Sequence, residues 1–228
     1  MKERPIIFND EMVRAILDGR KTQTRRVVKK QPSTDLPNTS FPVEGRGIAF
    51  AEGRVITQYC PYGQPGDRLW VREMWSGDYC YQKEPPSQRV SVMTPDGPML
   101  RESIWYWADG QPEYGDWERP RPSIHMPRWA SRITLEITSV RVERVQDIGE
   151  MDVIHEGFTM LSKDNGRTYK FGIADTDGLP GNDSGGWHWK NWSVSAQNAY
   201  SRLWQSIYGP DSWAANPWVW VIEFRRVE

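Results

Sequence analysis

Between residues 131 and 145 apolar and polar side chains alternate for more than a dozen positions, Ile133, Leu135 and Ile137 leading on to Val140, Val142 and Val145. Only an extended chain sends successive side chains to opposite faces, so this period of two demands one long, half-buried strand or a bent pair. Such a strand needs neighbours and a layer over its apolar face. Residues 217–227, dense in Trp, Val, Ile and Phe, supply a closing strand; residues 68–75 supply another, launched by the Pro65-Gly66 turn. In this last segment Leu69, Val71 and Glu73 share one face, and a carboxylate on that face is either solvated at the strand end or buried beside a cation.

The N-terminal segment reads as strand, helix, strand. Residues 4–8 are extended, Asn9 or Asp10 caps a short helix, and Met12, Val13, Ile16 and Leu17 form its apolar face. Gly19 ends the helix in a left-handed conformation, which places Arg20, Lys21, Thr24, Arg25 and Arg26 in an ordered turn. Such a cluster is either a solvated helix end, where cations suit the dipole, or a polyanion or catalytic site. A second helix covers residues 149–156 with Met151, Val153 and Ile154, stopped at Gly157. A third runs from a Ser193 cap to about Tyr208 on the stripe Ala196, Tyr200, Leu203, Trp204 and Ile207, ended by Gly209-Pro210.

Several strands, three short helices and no strand-helix-strand rhythm predict an α+β fold, a small mixed β-barrel carrying helices. The 228 residues read as one domain with loop insertions at about 30–54, 77–121 and 158–192, where Pro, Gly and polar residues break the periodicity. Residues 55–58 read as a short strand closing the first insertion. Within the third, Asp175-Thr176-Asp177-Gly178 matches part of a calcium loop but lacks the other ligands and the closing glutamate, so it reads as a plain loop. Trp187, Trp189 and Trp192 either form a lid or pin this insertion to the body, and pinning is favoured.

A net charge of −1 excludes indiscriminate coating of nucleic acid and confines any polyanion site to a local patch. Cys60 and Cys80 are far apart, and His125, His155 and His188 have no metal-ligand spacing, so no disulfide, metal or cofactor is expected. Without a membrane-length apolar run or a signal segment, the expected location is the cytoplasm, with no membrane partner.

Three segments taken together resemble the ASCH domain family, which is related to the PUA-like β-barrels. They are Gly19-x-Lys21-x-x-Thr24-x-Arg26, Pro65-Gly66-Asp67-x-Leu69-Trp70-Val71-Arg72-Glu73, and the final strand. Residues 124–133 and 216–221 are similar to members found in phages and prophages. The resemblance implies a barrel with a cleft where the first helix ends, and a partner among RNA, modified nucleosides or DNA. Some small bacterial members hydrolyse the acetyl amide of N4-acetylcytidine with a lysine and a threonine of this motif and a glutamate of a later strand. The matching positions are Lys21, Thr24 and Glu73. Other members are associated with ribonuclease activity or with RNA binding alone.

In that chemistry a partly desolvated Lys21 loses its proton more readily and serves as base to Thr24 or to a water, with Glu73 orienting it. The bland alternative for the trio is a Lys-Glu ion pair joining helix to strand. Arg25, Arg26, Lys29 and Lys30 extend a phosphate-holding margin. Arg128 and Arg132 flank Trp129, which suits either base stacking beside phosphates or a core aromatic. The remaining functional alternatives are a binding module without catalysis and a metal-independent ribonuclease.

Overall fold

A computed structural model describes residues 1–29, 31, 50–51, 54–55, 60–94, 97–101, 103–181 and 186–227. In chain order the elements are β1 (Glu3–Ile7), α1 (Asp10–Leu17), β2 (Gln23–Val27), β3 (Phe50–Ala51), β4 (Arg54–Val55), β5 (Arg68–Arg72), β6 (Trp75–Gly77), β7 (Val92–Thr94), β8 (Gly97–Met99), β9 (Ile104–Tyr106), β10 (Thr134–Arg144), α2 (Glu150–His155), β11 (Thr159–Ser162), β12 (Tyr169–Gly172), α3 (Ala196–Tyr208) and β13 (Trp218–Val227). Lys30, most of the first insertion, residues 56–58 of the expected short strand and residues 182–185 of the glycine-rich loop lie outside the described residues.

The alternating segment forms β10, and its partners are those its pattern calls for. A five-stranded sheet has the order β1-β5-β10-β13-β2, with β1 parallel to β5 and the other neighbours antiparallel. Ile137 pairs with Phe224 and Ser139 with Glu223, leaving Thr138 as the extra residue of a β-bulge. The bulge reverses the side-chain phase, so Leu135 and Ile137 before it and Val140 and Val142 after it all reach one core.

Two cores cover the sheet. Along β13, Trp220, Ile222 and Phe224 pack with Val13 and Ile16 of α1, while Val219 and Val221 pack with Val153 of α2 and Tyr200, Leu203 and Trp204 of α3. Burial on both faces is why the β13 sequence is apolar almost throughout, unlike the half-buried β10.

The expected α+β class with a few short helices is therefore found, but the ladder is open, with β1 and β2 as its edges. The Arg26 guanidinium on one edge donates to the Ile7 carbonyl of the other at 2.6 Å, so a side chain bridges the gap. Smaller hairpins β3–β4, β7–β8 and β11–β12 and the pair β6–β9 lie within or beside the expected insertions. Arg89, fully buried in the second insertion, ties Glu118 to the carbonyls of Tyr81 and Glu84. The third is pinned as expected: Trp187 packs against the core that Val153, Tyr200 and Leu203 share, and the buried Trp192 donates to the Trp187 carbonyl at 2.9 Å and presses so close to Gly172 that a Cβ there would lie 2.4 Å from its ring.

One local expectation is corrected. Gly19 does end α1 at φ +73°, but the basic stretch after it is extended, not a helical turn. Lys21 makes an isolated bridge to Glu156, and β2 begins at Gln23. The sheet edge offered by β13 captures the segment, which local charge could not reveal.

Candidate functional site

Lys21 is drawn inward where α1 hands over to the sheet edge. Its amide donates to the Ala15 carbonyl and the next amide to the His155 carbonyl, both at 2.9 Å, which fixes the ends of α1 and α2 together. This close approach needs Gly157: at φ +102°, an added Cβ would sit 3.0 Å from that of Ala15 and 3.2 Å from that of Lys21. The Lys21 side chain is fully buried, and Nζ donates to Glu156 Oε2 at 2.7 Å and to the Glu156 carbonyl at 2.9 Å. Burial pulls the ammonium below its ordinary 10.5; the Glu156 carboxylate opposes this, Arg26 and Arg25 reinforce it, and the net direction is downward.

Glu156 also faces Arg25, whose Nη1 lies 3.5 Å from Oε1. The Arg25 guanidinium is itself buried, donating to Glu143 at 3.0 Å and Asp152 at 3.1 Å. Thr24 is buried on β2 and lines a small cavity with Arg25, Arg26, Glu156, Tyr200 and Trp204. At about 20 Å³ this space holds roughly one water-sized group. Five buried atoms of its lining residues, Glu156 Oε1, Arg25 Nε and Nη1, Arg26 Nε and Trp204 Nε1, have no hydrogen-bond partner among the described residues. The exposed Ile207 and Tyr208 complete its wall.

Glu73 belongs to a different constellation. Both its oxygens accept from Arg132, at 3.0 and 2.9 Å, and Arg132 also donates to both oxygens of Asp109, at 2.7 and 2.8 Å. The guanidinium lies 4.0 Å from the Tyr106 ring centroid. Burial raises the Glu73 carboxyl above its ordinary value against the pull of Arg132, while Asp109 and Asp10 add to the rise. Burial alone would lower Arg132, but its two carboxylates overcome this and hold its charge firmly. The two shifts agree once the sharing is counted: one cation serves two acids. Tyr106 is pushed up to about 12, chiefly by burial. Nearby a cleft of about 960 Å³ is lined by Asp10, Glu11, Asp109 and Asp175 with Arg14 and Trp107.

The structure thus brings Thr24, Arg25 and Arg26 together around Glu156, the ion partner of Lys21, and gives Lys21 and Glu73 separate ion partners. The residue missed in the sequence is Glu156. Its signal was a second helix end of the same form, His155-Glu156-Gly157 beside Leu17-Asp18-Gly19, although spacing alone could not join the two. Arg26 sits over Phe8 at 5.1 Å. Arg128 pairs with Glu3 at 3.0 Å, and Trp129 meets Trp75 edge-on at 6.1 Å, in the manner of a core aromatic. Lys29 is exposed.

The chain matches no family model, no curated protein and no solved structure. Among the described residues no helix is long and apolar enough to cross a membrane, and no group of His, Cys, Asp or Glu forms a metal cluster.

Proposed function

We propose that this protein is an ASCH-type hydrolase of a small N-acylated nucleoside, with N4-acetylcytidine as the reference substrate, and that Lys21, Thr24 and Glu156 carry the chemistry. The observation that carries the reading is the fully buried Lys21 ammonium, held by Glu156 at the wall of the cavity that Thr24 lines. Glu156 takes the part that the resemblance lent to Glu73. The bridge from Arg26 to Ile7, which draws the two sheet edges together, supports kinship with PUA-like barrels.

Lys21 in its amine form accepts the proton of the Thr24 hydroxyl, and the oxygen attacks the acyl carbon. Arg25 offers donors to the oxyanion that develops. Collapse breaks the C–N4 bond, Lys21 returns the proton to the leaving nitrogen, and water then hydrolyses the threonyl ester to free acid. Glu156 orients the amine and holds the ammonium between the two transfers.

A free nucleoside fits better than an RNA chain. Arg25, Arg128 and Arg132, expected to hold phosphates, are engaged by carboxylates of the protein itself. The larger cleft is lined by four acids and one arginine, a poor host for a polyanion. Access to the small cavity requires Ile207 and Tyr208 to swing outward, and both are exposed.

The test incubates the protein with N4-acetylcytidine and follows release of cytidine. The expected result is turnover that Lys21→Ala and Thr24→Ala each abolish. Turnover surviving both substitutions removes the assignment, and binding without turnover converts it to a nucleoside-binding module.

A further inference from the structure

Trp204 has no role in the proton transfers, yet its polar atom is the anomaly of the site. It lies on α3 with its ring 6.2 Å from that of Tyr200 and 4.3 Å from that of Tyr208, so aromatic neighbours one helical turn away on either side hold it in place. The residue is buried, and its indole N–H, which can only donate, has no acceptor among the described residues. A buried indole N–H ordinarily finds a partner. It shares the lining of one small space with three further donors that lack a hydrogen bond, Arg25 Nε and Nη1 and Arg26 Nε, and one such acceptor, Glu156 Oε1.

Resting on the reading of this site as an amide hydrolase, we infer that Trp204 is a specificity-determining residue whose indole N–H receives the carbonyl oxygen of a compact N-acyl group. A carbonyl oxygen is an acceptor that suits a cluster of donors, and the amide N–H beside it supplies the donor that Glu156 Oε1 lacks. The cavity holds roughly one water-sized group, so the site favours the smallest acyl group, seated once Ile207 and Tyr208 swing outward, over a phosphate, which needs several free cations. Trp204 is thus a substrate-binding group distinct from the Lys21–Thr24 pair that moves the proton.

The experiment compares N4-acetylcytidine with its N4-thioacetyl analogue, in which a weakly accepting sulfur replaces the oxygen, in the wild type and in Trp204→Phe. Phenylalanine keeps an aromatic ring between Tyr200 and Tyr208 and removes the N–H. In Trp204→Phe, kcat/KM for the oxygen substrate is expected to fall about thirtyfold, and the oxygen-over-sulfur preference to shrink about tenfold relative to wild type, as for loss of one buried hydrogen bond. A purely structural role lowers both rates together and leaves the ratio unchanged, which overturns the inference. If the variant does not fold, the wild type alone decides: indifference to the oxygen-to-sulfur exchange overturns it.

Where the wild type turns over neither substrate, the hydrolase reading fails and calorimetric binding of N4-acetylcytidine decides for Trp204. Binding that Trp204→Phe weakens about tenfold upholds its role as donor. No binding, or binding equal in both proteins, overturns it.

Discussion

Lys21–Glu156 and Arg132–Glu73 each pair a cation with a buried glutamate, yet they are built to opposite ends. Glu73 is closed: each oxygen has its own guanidinium donor, and Arg132 spends its remaining donors on Asp109. Glu156 is open: Oε2 holds Lys21, while among the described residues Oε1 has only the misaligned Arg25 at 3.5 Å and no hydrogen bond. A saturated network fixes a shape, because any change of protonation or partner breaks a good bond. An unsaturated one keeps a donor and an acceptor free for something from outside. Charge and a buried glutamate, which the two share, therefore distinguish structure from chemistry less well than the count of unmet hydrogen bonds.

The largest effect that tests this contrast is on turnover of N4-acetylcytidine. Glu156→Gln keeps the shape and removes the charge that holds Lys21, and should lower kcat/KM about a thousandfold, within the range of lost acid–base assistance. Glu73→Gln should leave it within about threefold. An equal loss in both would return Glu73 to the catalytic trio and break the comparison.

Stability should rank the two regions in the reverse order. Glu73→Ala leaves Arg132 with Asp109 alone and should cost about 2 kcal/mol in urea unfolding, as for lost hydrogen bonds to a charged group. The double replacement Lys21→Met with Glu156→Leu removes a desolvated ion pair whole, leaving Arg25 to Glu143 and Asp152. Such exchanges for apolar groups are often neutral or stabilising by about 1–4 kcal/mol. No loss of stability, with no remaining activity, is the expected pairing; a steep loss would make the Lys21 pair structural as well.

The sequence announced the sheet because its period of two was long, and it announced each helix through caps and glycines: Asn9 accepts from the Met12 amide, and Gly157 and Gly209 are both at positive φ, although Ser195, not the expected Ser193, caps α3. Even the bulge is written there, in the Thr138-Ser139 step that separates Ile137 from Val140. What stayed hidden was pairing across distance. Glu73 and Glu156 are equally plausible partners for Lys21 in one dimension, and only the docking of the α1 and α2 ends, allowed by the missing Cβ of Gly157, chooses between them. The open edge of β13, which turns the basic stretch from a helix-end turn into β2, is likewise a property of the assembled sheet.

The smallest expected effect separates the regions by pH. Burial raises Glu73 above its ordinary 4.5, so between 4.5 and its raised value the native state holds a proton that the unfolded chain has released. Through that window its contribution to stability falls as pH rises. Burial lowers Lys21 below 10.5, so between its lowered value and 10.5 the unfolded chain holds a proton that the native state has released, and stability rises with pH. The two networks therefore give slopes of opposite sign in separate windows. Glu73→Gln should remove its share of the acid-side slope and leave that of Asp10 and Glu11, and the paired replacement Lys21→Met with Glu156→Leu should remove the alkaline-side slope of Lys21. Titration of Glu118, which its bonds from Arg121 and Arg89 hold at about 2 against the upward push of burial, adds stability above 4.5 that is lost toward pH 2. That loss lies below the Glu73 window and survives both substitutions, so it marks the baseline. Should the paired Lys21→Met, Glu156→Leu replacement change the acid slope, or Glu73→Gln the alkaline one, the two networks are coupled and the division between a closed and an open site fails.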